Sequence, residues 1–413
     1  MMLMGSFYRL GMNALRKTVL GFGWCAAVFW IRTLGTTAVA QVAGETAREA
    51  IREPLPQALS ETESRRMVVS VDRGIAWLLT QQQPDGSFWS PQRVGAQPAL
   101  TALGVMAALS RGHCPGEGPV GKALERAIDF TLECQKTNGL LSYRKFEPDQ
   151  VDVVFGSQTP DWEPRIADSY NHGIALLMLG EVYGQVRGER GERVRRAIEK
   201  GLLFTHYLHH IRKKDPKDEG GWRYIQLWQD KMDSDLSVTG WHALSLRSAK
   251  NAGFDVPGAL MEAIGQYALR CYDAPMRSFR YGHSHRLKTP SVAMTGAGIL
   301  CLALAGTPSV KEALDGAAMI AEQDFRNPAT FQSHHRNWPY YTCYYASQAA
   351  AQLGGTLWKT IYQKTTTYLL QEQDPNGAWP PKGAAGSFGP VYSTTMAILA
   401  LTPQLQLLPI YQH

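Results

Sequence analysis

A turn followed by a helix rich in small residues recurs along this chain, and that recurrence limits its fold more than any other feature. The turns are Gln83-Pro84-Asp85-Gly86-Ser87-Phe88-Trp89, Gln135-Lys136-Thr137-Asn138-Gly139-Leu140-Leu141, Gly220-Gly221-Trp222 and Gln373-Asp374-Pro375-Asn376-Gly377-Ala378-Trp379. Each follows an amphipathic helical run and precedes a second helix. The second helices carry Thr101-Ala102-Leu103-Gly104, Gly173-Ile174-Ala175, Thr295-Gly296-Ala297-Gly298 and Ser347-Gln348-Ala349-Ala350. Glycine inside a helix costs about 0.5–1 kcal/mol relative to alanine, so its repeated use points to backbones packed too closely for side chains. Paired in this way, the 338 residues from Val68 to Leu405 divide into six helical hairpins. The period of roughly 56 residues is slightly above the ~20–50 usual for stacked supersecondary units. Apolar alternation never lasts more than a few residues, so no strands are expected. The expected fold is all-α, a single (α/α)6 toroid with an inner ring of crowded helices inside an outer ring. An open solenoid would need distinct polar caps at both ends, and none is visible.

The N-terminus reads as a targeting segment. Arg9, Arg16 and Lys17 precede an apolar run from Val19 to Ile31, and Ala38-Val39-Ala40 supplies a small-residue cleavage pattern before Gln41. The apolar run is short for a membrane span and ends at Arg32. The organisation expected is a signal peptide over 1–40, a connector or first outer helix over 41–67, the toroid over 68–405 and a C-terminal tail over 406–413. A mature chain without a stable membrane span would then work outside a bacterial cytoplasm, in the periplasm or the medium. Of the six cysteines, Cys25 lies in the signal segment, which leaves an odd number with no close pairing and argues against a disulfide framework. A formal charge of +6 without a dense basic patch argues against a nucleic-acid partner. The longest irregular segment, Lys145 to Ile166, is apolar enough to fold over one mouth of the ring.

The glutamine- and tryptophan-bearing turns resemble those of the terpenoid cyclase and protein prenyltransferase superfamily, and most of all the single-ring squalene-cyclase-like repeat proteins of bacteria. The resemblance covers nearly the whole mature chain and implies the toroid. Prenyltransferases of this superfamily bind zinc through an Asp-x-Cys pair and a later histidine. Here Thr289-Pro290-Ser291 and Tyr341 stand at those places, and their neutral hydroxyls cannot replace thiolate, carboxylate and imidazole. No metal and no cofactor is therefore expected.

Type II cyclases protonate an alkene or epoxide with a buried aspartate. Asp233-Ser234-Asp235-Leu236-Ser237 resembles their acid motif with its last acid replaced by leucine, and the resemblance puts Asp235 at the proton-donor position with Asp233 beside it. Such a donor has to be kept neutral and polarised by hydrogen bonds. Asp233, Ser237, His172 or His283 are candidates for that support. The cation that follows needs aromatic walls, for which Trp222, Tyr224, Trp241, Trp338, Tyr340, Tyr341 and Tyr344 are candidates. Read from residues alone, Asp235 is equally an N-cap for a helix carrying Val238, Trp241 and Leu244 on one face. Two expectations follow. Either the lumen binds a hydrophobic small molecule or a protein segment, with His172 and the aromatic residues as its walls, or Asp235 starts a cyclisation. His206 with His210, and His283, His285, His334 and His335, read as surface or rim residues. Asp168 paired with Asp233 or Asp235 would be the carboxylates of a sugar-cleaving alternative.

Overall fold

The structure, a computed structural model, describes residues 55–88, 98–143, 162–225, 233–283, 289–333 and 336–411. The expected signal segment and most of the expected Lys145–Ile166 loop lie outside them. Twelve α-helices alternate between two rings among the described residues. The outer helices are α1 (Glu61–Gln81), α3 (Gly118–Glu133), α5 (Gly188–His210), α7 (Gly258–Arg270), α9 (Lys311–Glu322) and α11 (Gly355–Glu372). The inner helices are α2 (Ala99–Leu109), α4 (Trp162–Val182), α6 (Leu236–Asn251), α8 (Val292–Leu304), α10 (Pro339–Leu353) and α12 (Gly389–Leu401). Each inner helix packs on the next inner helix, and α12 returns to α2, so the inner ring closes. The outer helices bury one stripe, whereas every residue of α2 is buried. The all-α toroid expected from the sequence is therefore the fold.

The turns hold neighbouring hairpins together through one repeated device. Gln82, Gln135 and Gln373 each donate from Nε2 to the carbonyl of the turn glycine four residues on. The same nitrogen also donates to a carbonyl of the next outer helix, at Ala123, Ala197 and Ser70 respectively. The last of these bonds joins the end of the chain to its start and closes the outer ring. In the first turn the tie is Gln82, one residue before the glutamine with which the sequence motif begins. The turn glycines have positive φ, and a Cβ on Gly139 would lie 2.2 Å from the Lys200 carbonyl oxygen. Nothing but glycine fits there.

A second repeat escaped the sequence reading. Phe88, Trp222, Phe279 and Trp379 each donate their backbone N–H to a threonine hydroxyl of the following inner helix, at Thr101, Thr239, Thr295 and Thr394. It seats the turn's aromatic side chain behind the inner ring, and Trp379 and Trp222 add indole N–H bonds to the Leu369 and Thr205 carbonyls.

The inner-helix glycines divide into two groups. A Cβ on Gly296 would lie 2.7 Å from the Tyr345 backbone, and one on Gly173 would press on Trp241 and His242, so these two allow close helix approach. Gly104 and Gly298 instead make room for Phe88 and Phe279 of the turns. Gly296→Ala is expected to lose up to about 2 kcal/mol of stability in urea unfolding, since overpacking against backbone costs about 1–3 kcal/mol and the gain in helix propensity returns about 1 kcal/mol. Gly258→Ala at the exposed start of α7, where a Cβ meets nothing within 4 Å, should be neutral or stabilising.

Helix α1 starts at Glu61, within the 41–67 stretch expected as a connector or first outer helix, where Ser60 and Glu63 form a reciprocal capping box. Two features differ from the sequence expectations. Helix α4 starts at Trp162 and takes in residues expected in the loop, with Pro164 in the first turn, where a missing N–H costs nothing. Finally, short strands do occur: β1 (Tyr272–Asp273) pairs with β2 (Ser278–Phe279), and β3 (Gln332–Ser333) pairs with β4 (Arg336–Asn337). Two-residue hairpins are too short to leave an alternating pattern in the sequence.

Candidate functional site

Asp235 sits where the second half of a turn meets an inner helix. Its N–H donates to the Trp222 carbonyl at 2.9 Å, and the two residues form an isolated antiparallel bridge. In extended backbone successive side chains point to opposite faces. Trp222 accordingly goes into the wall between the rings, and Arg223 turns to the other side, over Asp235.

The Asp235 carboxylate is fully buried and both its oxygens receive donors. Val238 N–H donates to Oδ1 at 2.8 Å, the N-cap bond of α6. Arg223 Nη1 donates to Oδ2 at 2.8 Å. The guanidinium lies 4.5 Å from the Tyr224 ring centre and 5.7 Å from that of Tyr281, and it also reaches the Tyr281 hydroxyl at 3.3 Å. Burial pushes the Asp235 carboxyl up from its ordinary range, and Arg223 with the Val238 N–H pulls it back.

Hydroxyls extend the cluster across the ring. The Tyr224 and Tyr281 hydroxyls are 2.8 Å apart. Tyr170 of α4 meets Ser237 of α6 at 2.9 Å, and Ser237 meets Tyr341 of α10 at 2.7 Å. Burial raises the Tyr170, Tyr281 and Tyr341 hydroxyls above the ordinary tyrosine range, so all three stay neutral. Below them Trp241 of α6 stacks on Tyr344 of α10, with ring centres 5.4 Å apart and planes within 12°, and Tyr345 meets both edge-on. Trp338 lies beside Tyr341 at the start of α10.

Of the sequence candidates, Asp235, Tyr224, Trp241, Trp338, Tyr341 and Tyr344 come together here. The others go elsewhere. Asp233 points away from Asp235: its carboxylate accepts from Lys214 N–H and pairs with Lys214 Nζ at 3.3 Å. His283 faces Asp218 at 3.0 Å. Tyr340 donates outward to the Pro380 carbonyl. Trp222 stacks on His242 in the wall, 5.1 Å between ring centres. The Ser142 hydroxyl donates to Asp168. His210 Nδ1 bonds the His206 carbonyl along the surface of α5. His285, His334 and His335 lie outside the described residues.

His172 stands in the position that threonine holds in four of the other units. Its Nδ1 accepts Leu141 N–H at 3.1 Å, as Thr101, Thr239, Thr295 and Thr394 accept from their turns, and its Nε2 meets Thr205 Oγ1 at 2.9 Å. Accepting at Nδ1 fixes the neutral tautomer with the proton on Nε2. Burial lowers its pKa to about 4. Its role is to tie a turn to the inner ring.

Sequence reading had assigned no role to Arg223, Tyr170 or Tyr281. The only signal for Arg223 was its place after a turn tryptophan in extended backbone, and Tyr170 and Tyr281 carried none.

The described residues fold as a closed α/α toroid. No family model matches the sequence, and no curated protein resembles it in sequence. Among solved structures it is similar to the type II terpene cyclase MstE from Scytonema in complex with geranylgeranyl dihydroxybenzoate, at a TM-score of 0.51 and 14% identity over 83% of this chain and 99% of that one. It is equally similar to a glycosidase, at a TM-score of 0.52 and 14% identity over 85% and 100%. The same glycosidase fold in complex with glucose gives 0.51 and 13% over 85% and 100%. At such identities the likeness fixes the fold and leaves the activity open.

Proposed function

We propose that the toroid binds an amphipathic, isoprenoid- or lipid-like molecule. Its apolar part would lie along Trp241, Tyr341 and Tyr344, and its polar end would meet the Arg223–tyrosine cluster. Asp235 anchors that cluster. The observation that supports this most is the pair of donors on the Asp235 oxygens. Protonating an alkene needs a neutral acid with its proton aimed into the cavity. A carboxyl that takes an N–H on one oxygen and a guanidinium on the other is held as an acceptor. The N-terminal signal pattern supports placing the mature protein outside the cytoplasm.

The alternative is a type II cyclase with Asp235 as its acid. Two observations favour it: Asp235 is completely buried among aromatic rings, and the match covers 99% of a type II terpene cyclase chain. The sugar-cleaving reading has less support, since Asp233 is committed to Lys214 and Asp168 to Ser142.

Binding is tested by titrating the mature protein with farnesol, geranylgeraniol and a long-chain fatty acid while following tryptophan fluorescence. Saturable binding is expected for at least one. Tyr341→Ala should weaken it tenfold or more, about 1.4 kcal/mol. No saturable binding of any of the three would count against the proposal.

A further inference from the structure

At the other end of the inner ring lies a buried acid that the site above does not use. Tyr170 and Glu181 are eleven residues apart on α4, and so are Ser237 and Ser248 on α6. Tyr170 bonds Ser237 and Glu181 bonds Ser248, so α4 and α6 run parallel and in register. At 1.5 Å per residue the second pair lies about 16 Å below the first. Here the chain returns to the ring. Thr402 and the 3₁₀ turn Pro403–Leu405 end α12, and Gln406 then takes a left-handed conformation, φ 50°, which is unfavourable for a side chain with a Cβ. Leu408 and Ile410 follow and are buried, at 4% and 1% exposure. The Pro403–Leu405 turn before the hinge packs on α10 and α12, the Pro409–Tyr411 turn after it packs on α6, and Ile410 N–H donates to Glu181 Oε2 at 3.0 Å. Ser248 Oγ donates to the other oxygen at 2.5 Å.

We infer that residues 406–411 form a releasable stopper over this end of the ring, locked by the Glu181 carboxyl. The inference does not depend on what the Asp235 end binds. The tail carries its own strained hinge at Gln406 and two apolar pegs, and its backbone is tied to one acid.

The lock is sensitive to pH. Burial raises the Glu181 pKa to about 7, against the pull of Ser248 and Ile410 N–H. Among the described residues no charge acts on it. Helix α2 has no titratable side chain, and Arg190 of α5 is spent on Glu125 and Asp129 of α3. Arg247 and Lys250 of α6 flank Ser248 without contributing. Releasing the tail gives the carboxyl back to water, where it titrates near 4.5. Opening therefore rises by up to about tenfold per pH unit from 4.5 to about 7 and levels off above that.

Hydrogen exchange of the C-terminal peptide in the full chain, corrected for intrinsic rate and referenced to α8 peptides, tests this at pH 5, 6, 7 and 8. Tail protection should fall about five- to sevenfold per unit between pH 5 and 7 and by only about twofold more to pH 8. Glu181→Gln keeps an acceptor for Ile410 N–H and should flatten the profile. Ser248→Ala removes a bond that lowers the Glu181 pKa and should move the levelling point to higher pH. A flat wild-type profile, or an unchanged slope in Glu181→Gln, overturns the inference. If Glu181→Gln does not fold, Ser248→Ala decides, and an unmoved levelling point overturns the inference.

Discussion

Arg223→Ala is expected to destabilise the protein by roughly 3–5 kcal/mol, the range for removing one partner of a buried ion pair. The side chains of Arg223 and Asp235 are 11% and 0% exposed, so the 0–1 kcal/mol typical of surface pairs does not apply. The substitution leaves a carboxylate in a fully buried site with the α6 cap bond as its main remaining partner. Asp235→Asn separates the terms. Asparagine caps a helix about as well as aspartate, so that variant loses the ion pair and keeps the cap. Asp235→Ala should be worse by a further ~1 kcal/mol. Lys214→Ala, at the half-exposed partner of Asp233, should cost no more than about 1 kcal/mol. Urea unfolding of the four variants measures the series. A cost under 1 kcal/mol for Arg223→Ala would mean that the pair does not hold the site together.

The second large effect is an acid loss of stability through the wall histidines. His172 has a pKa of about 4 in the folded protein against 6.5 as a free side chain, and burial is the cause. Above pH 6.5 both states are neutral and the full stability is present. As pH falls from 6.5 towards 4 the unfolded chain binds a proton that the folded chain refuses, so stability drops. For His172 the loss is on the order of 3 kcal/mol by pH 4, at 1.36 kcal/mol per unit. Burial also depresses His209 and His242, which add to the slope. Glu181 acts in the opposite sense, since its raised pKa removes stability as pH rises from 4.5 to about 7. The difference between variants is therefore the clean readout. His172→Asn keeps an acceptor for Leu141 N–H and removes the titration, so its stability should fall less steeply between pH 6.5 and 4. An unchanged slope would show that His172 is not held neutral.

The toroid was legible in the sequence because its turns and small-residue helices are local signals repeated around one ring. Gln135 and Gln373, with their turn glycines, can be read from spacing alone. The threonine repeat was missed because its members lie 13 to 17 residues after the aromatic residue they serve, across segments of varying length. For the same reason His172 looked like a free ligand: its equivalence to Thr101 and Thr239 appears only once the turn is folded back on the helix. Asp235 was found from its motif. Asp233 looked like its partner because the two are two residues apart, yet Lys214 draws Asp233 the other way. The real partner, Arg223, is twelve residues upstream and arrives through a two-residue backbone bridge that no periodicity announces.

We propose that Asp235 holds Arg223 and the tyrosine hydroxyls in place for binding and does not deliver a proton. Incubation of the purified protein with squalene, geranylgeraniol and geranylgeranylated aromatic acids, followed by mass spectrometry of the extract, tests it most directly. The account predicts that ligand is retained and recovered unchanged. A cyclic product that forms with the wild type and vanishes in a folded Asp235→Asn variant would contradict it.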